Sequence, residues 1–305
     1  MKKFLLPLFI LLLVSKIASA EELIAYSHLT DDYWQIWVMT PEGTDQRQLT
    51  FSLQDKRDPA WIHQGNALAF RTNNGQLFTI DRNGQNETRI LEQYGVINSP
   101  HFCDAAQEIV FVRFDPATAD ISDLWKTDLE GKRPLLLTKQ NKFVYQPSFS
   151  PDGKHIVFVQ IADNKEDQHL WIMSLPDRPN RSRYAGQAGA SGGGGDGGQP
   201  RSLTEGPGKD ALPHFSPSGR DITFTSNRQG NYDIYLLDVQ NGKVNRVTQY
   251  SGLDTSSSFS PDGEHIVFVS NRGGNQQIWV MGKDGSNPAQ LTFGQDESID
   301  PAWGK

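Results

Sequence analysis

The sequence holds a single cysteine in 305 residues. One thiol excludes a disulfide framework and a cysteine-built zinc site. Cationic side chains are also in short supply: 29 Lys and Arg stand against 36 Asp and Glu, a formal charge of −7. Neutralising phosphates takes a basic face, so no nucleic acid partner is expected. An anionic lipid surface or a polyanionic sugar is disfavoured for the same Coulombic reason. Beyond residue 20 no stretch repeats apolar positions at the 3.6-residue period of an amphipathic helix. No apolar run approaches the ~20 residues of a membrane-crossing helix, so no transmembrane segment is expected. Aromatic residues make up 10% of the chain and charged ones 21%, too apolar a balance for a disordered polymer.

The start of the chain reads as an address. Lys2 and Lys3 precede an eleven-residue apolar run, Phe4 to Val14, broken only by Pro7. Ala18-Ser19-Ala20 then supplies a small-x-small cleavage site. This is the three-part pattern of a secretory signal peptide over residues 1–20. Removing it takes away Lys2, Lys3 and Lys16 and no acid, which moves the charge from −7 to −10. A periplasmic location is expected.

The rest is one unit repeated. Phe149 to Gln160 reads FSPDGKHIVFVQ and Phe259 to Ser270 reads FSPDGEHIVFVS, identical at ten of twelve positions. Phe215 to Ser226 is a third copy; Trp61 to Thr72 and Phe102 to Arg113 are weaker ones. Each copy continues into a second apolar run such as Leu170-Trp171-Ile172-Met173 or Ile278-Trp279-Val280-Met281. A Gly turn follows, and the unit usually closes on Leu-Thr, as at Leu49-Thr50 and Leu291-Thr292. β-branched and aromatic runs between Asp-Gly and Asn-Gly turns read as hairpins. The equivalent residues Ile24, Leu68, Ile109, Ile156, Ile222 and Ile266 are spaced 44, 41, 47, 66 and 44 apart. Four-stranded antiparallel units at that period predict an all-β, six-bladed β-propeller over residues 21–305. The first copy lacks an inner strand, while Asp300-Pro301-Ala302-Trp303 repeats Asp58-Pro59-Ala60-Trp61. The C-terminal segment is therefore expected to complete the first blade and remove a free sheet edge.

These copies, with their Ile-Trp-Val-Met and Leu-Thr ends, resemble the WD-like repeats of the TolB family, periplasmic propellers of the Tol–Pal envelope system. The resemblance covers residues 21–305. It implies a six-bladed propeller scaffold that binds another envelope protein, such as a Pal-like lipoprotein. A monomer is expected, and, with no nucleophile–base–orienter set in the sequence, no enzymatic activity. Family members carry an α/β domain ahead of the propeller, whereas here the first blade starts at Ile24. Engagement of the inner-membrane partner is accordingly not carried over.

Several residues are candidates for a site. Those entering each inner strand, Asp300, Asp58, Ser99, Gln146, Leu212 and Ser256, should ring one mouth of the central channel. Asp58 and Asp300 fall on adjacent blades and would repel unless Lys56, Arg57, water or a divalent cation neutralised them. A hard cation such as Ca²⁺ takes oxygen ligands. The competing role is turn capping through backbone N–H groups. His101 and His214 share one repeat position, in blades three and five, with Gln146 entering blade four between them. They are the weak metal candidates behind the alternative function, a channel-centred lyase or hydrolase. Tyr33 and Trp34, in a loop of blade one, are candidate binding anchors, although Trp34 aligns with Tyr232 and packing accounts for it as well. The enlarged loops Asp115 to Asp123 and Ala162 to Gln168 carry Asp115, Asp120, Asp123, Asp163, Glu166 and Asp167, so their face should be the acidic partner surface. Residues 176–200 form a Gly-rich insertion in blade four. It contains G-x-S-x-G and G-x-G-x-x-G patterns without the strand and helix that give such motifs their chemistry. Cys103 takes the place of the Ser in Phe-Ser-Pro and reads as a buried small residue.

Overall fold

Consecutive apolar residues, as in Ile156-Val157-Phe158-Val159, give the middle strands two faces to bury, and the chain solves this by stacking sheets. The computed structural model describes residues 21–114, 121–139, 142–175 and 198–304. The Gly-rich motifs and the cleavage site lie outside the described residues. Blade one contains β1 (Leu23–Thr30), β2 (Tyr33–Met39) and β3 (Arg47–Gln48). Blade two is β4 (Lys56–Ile62), β5 (Ala67–Thr72), β6 (Leu77–Asp81) and β7 (Thr88–Ile90). Blade three is β8 (Asn98–Cys103), β9 (Glu108–Phe114), β10 (Ser122–Asp128) and β11 (Leu135–Leu136). Blade four is β12 (Val144–Phe149), β13 (His155–Ile161), β14 (Gln168–Ser174) and β15 (Arg201–Ser202). Blade five is β16 (Asp210–Phe215), β17 (Asp221–Gln229), β18 (Asn231–Asp238) and β19 (Val244–Arg246). Blade six is β20 (Asp254–Phe259), β21 (His265–Ser270), β22 (Gln277–Gly282) and β23 (Ala289–Gln290). The last strand, β24 (Ser298–Gly304), pairs with β1, so the order in blade one is β24-β1-β2-β3. The molecule is a six-bladed, all-β propeller closed by its C-terminal inner strand. The six inner strands touch one another in a closed cycle.

Every seam between blades has its own apolar cluster. In β13, Ile156 and Phe158 pack toward blade three, while Val157 and Val159 pack toward blade five. The alternation of a strand thus serves two different interfaces.

Leu-Thr, or Val247-Thr248 in blade five, was expected to end the fourth strand in five of the six blades. It lies just beyond that strand, for a reason visible in the hydrogen bonds. The backbone N–H groups of Ile36, Leu124, Leu170, Ile234 and Ile278 donate to the hydroxyls of Thr50, Thr138, Thr204, Thr248 and Thr292 at 2.9–3.0 Å. The Thr side chain substitutes for a ladder partner that the short outer strand no longer supplies. In blades one and six the hydroxyl also donates to Gln35 (2.9 Å) and Gln277 (2.6 Å).

On one face lie the turns between first and second strands. There Ser150 donates to Asp152 (2.6 Å) and accepts the His155 N–H (2.9 Å), with Ser260 doing the same in blade six. Gly153 sits in this turn at φ +69°, where a Cβ would lie 2.9 Å from the Ala106 methyl, so the close stacking of neighbouring turns requires glycine. The opposite face carries the inter-blade loops and the loops between second and third strands. That face opens onto the channel where the inner strands begin.

Candidate functional site: the channel mouth

The six residues aligned from sequence occupy one backbone position. Asp58, Ser99, Gln146, Leu212, Ser256 and Asp300 all have φ between 44° and 54°. Each marks a break in register between the inner strand and its neighbour. A bulge leaves one residue without a ladder partner, and Pro follows in five of the six blades (Pro59, Pro100, Pro147, Pro213, Pro301). Proline has no N–H to leave unpaired there. A left-handed non-glycine residue costs about 1–2 kcal/mol, so the mouth concentrates strain six times over.

Asp58 and Asp300 meet across the seam between blades two and one. Arg57 donates to Asp300 (3.3 Å), as does Ser27 (3.2 Å). Asp58 is bonded to the Arg71 guanidinium. Neither carboxylate caps a backbone N–H group among the described contacts. Lys56 does not take part: it is buried, bonded to Glu87 (2.5 Å) and placed over the rings of Phe70 and Phe78. Burial, with the neighbouring Asp58 charge second, pushes Asp300 up to about 6 against the pull of Arg57 and Ser27. Arg71 escaped the sequence reading, although its position offered a signal. The equivalent residues are Val112, Val159, Thr225 and Val269, so an arginine there breaks the repeat.

His101 and His214 do converge, with ring centroids 5.7 Å apart. The Phe149 N–H donates to His101 Nδ1 (3.2 Å), which leaves the proton on Nε2 to face Ser148 Oγ (3.1 Å). Both rings keep a little solvent contact in the channel yet are enclosed by protein. Burial lowers His101 to about 3, with His214 a secondary cause, and lowers His214 to about 4. Both are therefore neutral at physiological pH. Gln146 does not join them: its side-chain carbonyl accepts the Leu212 N–H at 2.8 Å, tying two neighbouring ring positions together. Among the described residues no three His, Cys, Asp or Glu side chains gather as metal ligands.

Tyr33 and Trp34 begin β2 and are half-buried. Trp34 packs beside the blade-one and blade-six cluster, and the Arg57 guanidinium lies 4.9 Å from its ring. Packing and placement beside the mouth are thus combined in one residue. Of the acidic loop residues, Asp115 and Asp120 lie outside the described residues. Asp123 stands within β10 and accepts from Thr138 (3.1 Å) rather than projecting from a loop. Asp167 is held by the Gly208 N–H (2.7 Å) and by Asn164, and Asp163 by Lys142. Cys103 is buried, and that burial raises its thiol pKa.

The mouth face also carries side chains that sequence reasoning passed over. The large apolar side chains left exposed among the described residues are Phe51, Leu53, Val96, Phe114 and Phe293. All five stand in inter-blade loops or at the β9 end, on this one face.

Fold and mouth together define a six-bladed β-propeller with a strained, acid-bearing channel entrance. Known proteins place it more narrowly. The model of the TolB beta propeller domain matches residues 196–305. The Tol-Pal system protein TolB of Bordetella pertussis is 28% identical over 143 residues, 39% of this chain and 33% of that protein. The chain thus spans about a third of the length of that curated relative. The structure of TolB from Acinetobacter baumannii superposes with a TM-score of 0.72 at 20% identity, covering 92% of this chain and 66% of that one. A putative TolB from Agrobacterium tumefaciens gives 0.68 at 20% identity, covering 91% and 90%. The propeller is thus similar in fold to those of TolB proteins, and over residues 196–305 in sequence as well.

Proposed function

We propose that this protein is an exported scaffold that binds another cell-envelope protein through the face around the channel mouth. On this reading residues 1–20 are a cleaved signal peptide and the mature propeller works as a monomer in the periplasm. The partner is a protein of the Pal-like lipoprotein class. The observation that carries the reading is the confinement of the exposed large apolar side chains, among the described residues, to one face. Exposed apolar groups gathered on one surface mark interaction sites, whereas scattered ones need no explanation. The six left-handed residues at the same mouth add stored strain of the kind that clusters at ligand-clamping sites.

The test is crosslinking in intact cells, followed by isolation of the envelope fraction and identification of what is joined to the propeller. A single envelope polypeptide joined through the mouth face is expected; adducts only through the opposite face would overturn the reading. N-terminal sequencing of the exported protein should begin at Glu21. The convergence of His101 and His214 favours one second reading, a metal-dependent lyase or hydrolase centred on the channel. Stoichiometric Mn or Zn in the purified protein, lost in the His101→Ala/His214→Ala variant, would replace the scaffold reading with that one.

A further inference from the structure

The residue after the closing threonine is exposed in all five blades that have one, four ending on Leu-Thr and blade five on Val247-Thr248. In blades three, four and five it is polar: Lys139, Glu205 and Gln249. In blades one and six it is phenylalanine, with Phe51 77% and Phe293 71% exposed. Leu53, two residues after Phe51, is 84% exposed. Blades one and six meet at the seam beside β24, so these exposed apolar residues flank a single blade.

The loops that bear them are fixed. Gln35 donates to the carbonyls of Ser52 (2.9 Å) and Gln54 (3.2 Å), and the Trp34 N–H donates to Asp55 (3.1 Å). Across blade one, Gln277 donates to the Asp296 carbonyl (2.8 Å), and the Leu29 N–H donates to the Glu297 carbonyl (3.0 Å). Gln35 and Gln277 hold one repeat position and do one job. Between the two loops stands the turn from β1 to β2, with Asp31, Asp32 and the half-buried Tyr33. The carboxylates around the patch are Asp31, Asp32, Asp55, Asp296 and Glu297. The cations nearest in sequence are engaged, Lys56 with Glu87 and Arg57 with Asp300 and Trp34.

We infer that Phe51, Leu53 and Phe293 are the apolar anchors of the docking surface, and that they receive a protein segment whose apolar side chains are flanked by lysine or arginine. This rests on the scaffold reading above and places its centre over blade one, away from the enlarged loops of blades three and four. Rigid apolar side chains within a polar rim have the anatomy of a binding hot spot. The acidic rim selects the charge of the occupant. A second copy of this chain would set the same carboxylates against themselves, and an anionic lipid surface would be repelled in the same way.

A photoreactive phenylalanine analogue is placed at 51 or 293 in the full-length protein, and at 205 or 249 as same-position controls on remote blades. The polypeptide joined is identified, purified and titrated against the wild-type protein and the Phe51→Gln/Leu53→Gln/Phe293→Gln variant. Joining is expected from 51 and 293 only, at an apolar segment next to lysine or arginine. The variant should lose about tenfold or more in affinity. Its melting temperature should move by less than about 2 °C, because exposed positions contribute little to stability. Vesicles of phosphatidylglycerol and sedimentation velocity of the protein alone complete the set. Equal joining from 205 and 249, unchanged affinity of the variant, an adduct with a second copy, or vesicle binding lost in the variant would each overturn the assignment. A wild-type protein that binds its partner as tightly as the variant does removes the anchors and leaves the scaffold; one that joins nothing at any mouth position removes both.

Discussion

The buried carboxyl of Asp300 is held above the ordinary aspartate range and changes charge near pH 6. Its carboxyl is raised to about 6, above the ordinary aspartate value an unfolded chain would show. A raised acid binds its proton more tightly in the folded state, so its stabilising effect is complete below the unfolded pKa. That effect is lost as pH rises through about 6. Asp300→Asn should therefore raise the melting temperature at pH 8 and gain less at pH 5, as thermal scans at both pH values would show. Arg57 pulls the other way, so Arg57→Met should lower the melting temperature more at pH 8 than at pH 5. Because Arg57 and Arg71 already occupy the two carboxylates, Ca²⁺ or a chelator should leave the melting temperature where it is. The proximity of Asp58 and Asp300 was legible, since the repeat set them at equivalent positions of adjacent blades. Their arginine partners were only half legible. Arg57 neighbours Asp58 in sequence yet bonds the other aspartate, and adjacency along a strand says nothing about which blade a side chain reaches.

The threonine after each outer strand is an element-scale device. Its hydroxyl carries a backbone N–H that the two- or three-residue outer strand leaves without a ladder partner. Thr292→Val keeps shape and volume but strands the Ile278 N–H and one donor-acceptor pair with Gln277. A buried group left unpaired costs about 1–3 kcal/mol, which urea denaturation would resolve as a lower midpoint at unchanged slope. Leu-Thr is easy to find in the sequence and easy to misread as a strand end, because a side-chain bridge has no period to betray it. The residue that follows was equally visible, as Leu-Thr-Phe in two copies. Its meaning depended on knowing that the position faces solvent, which repeat counting alone does not supply. The meeting of His101 with His214 is a third case: equal repeat positions were evident, but their 5.7 Å approach over an intervening blade needs the ring to be closed.

At the scale of the whole molecule, closure in blade one joins residues 273 apart, as in the bond from Ser27 to Asp300. Trp61 ties the closing strand to blade two by donating to the Ala302 carbonyl (3.0 Å), and Trp303 donates to Glu22 (3.2 Å). Trp61→Ala should cost roughly 2 kcal/mol, below the 3–5 of a fully enclosed ring because Trp61 is half-buried. Loss should show as faster unfolding in a denaturant jump. Most of this architecture was open to view in the sequence, because Asp300-Pro301-Ala302-Trp303 had a counterpart at Asp58 and no other place in the ring to go.

Synthesis runs from one end, so β1 emerges first among the strands and β24 last. For nearly the whole passage of the chain, Leu23–Thr30 has β2 on one edge and nothing on the other. Drawing together segments some 270 residues apart costs roughly 5 kcal/mol of chain entropy if nothing in between has folded. Once five blades have stacked, the gap is short and the cost nearly gone. The final strand therefore acts as a completion signal. A chain arrested before Ser298 presents an open strand edge in blade one, recognisable to any chaperone or protease that waits for one.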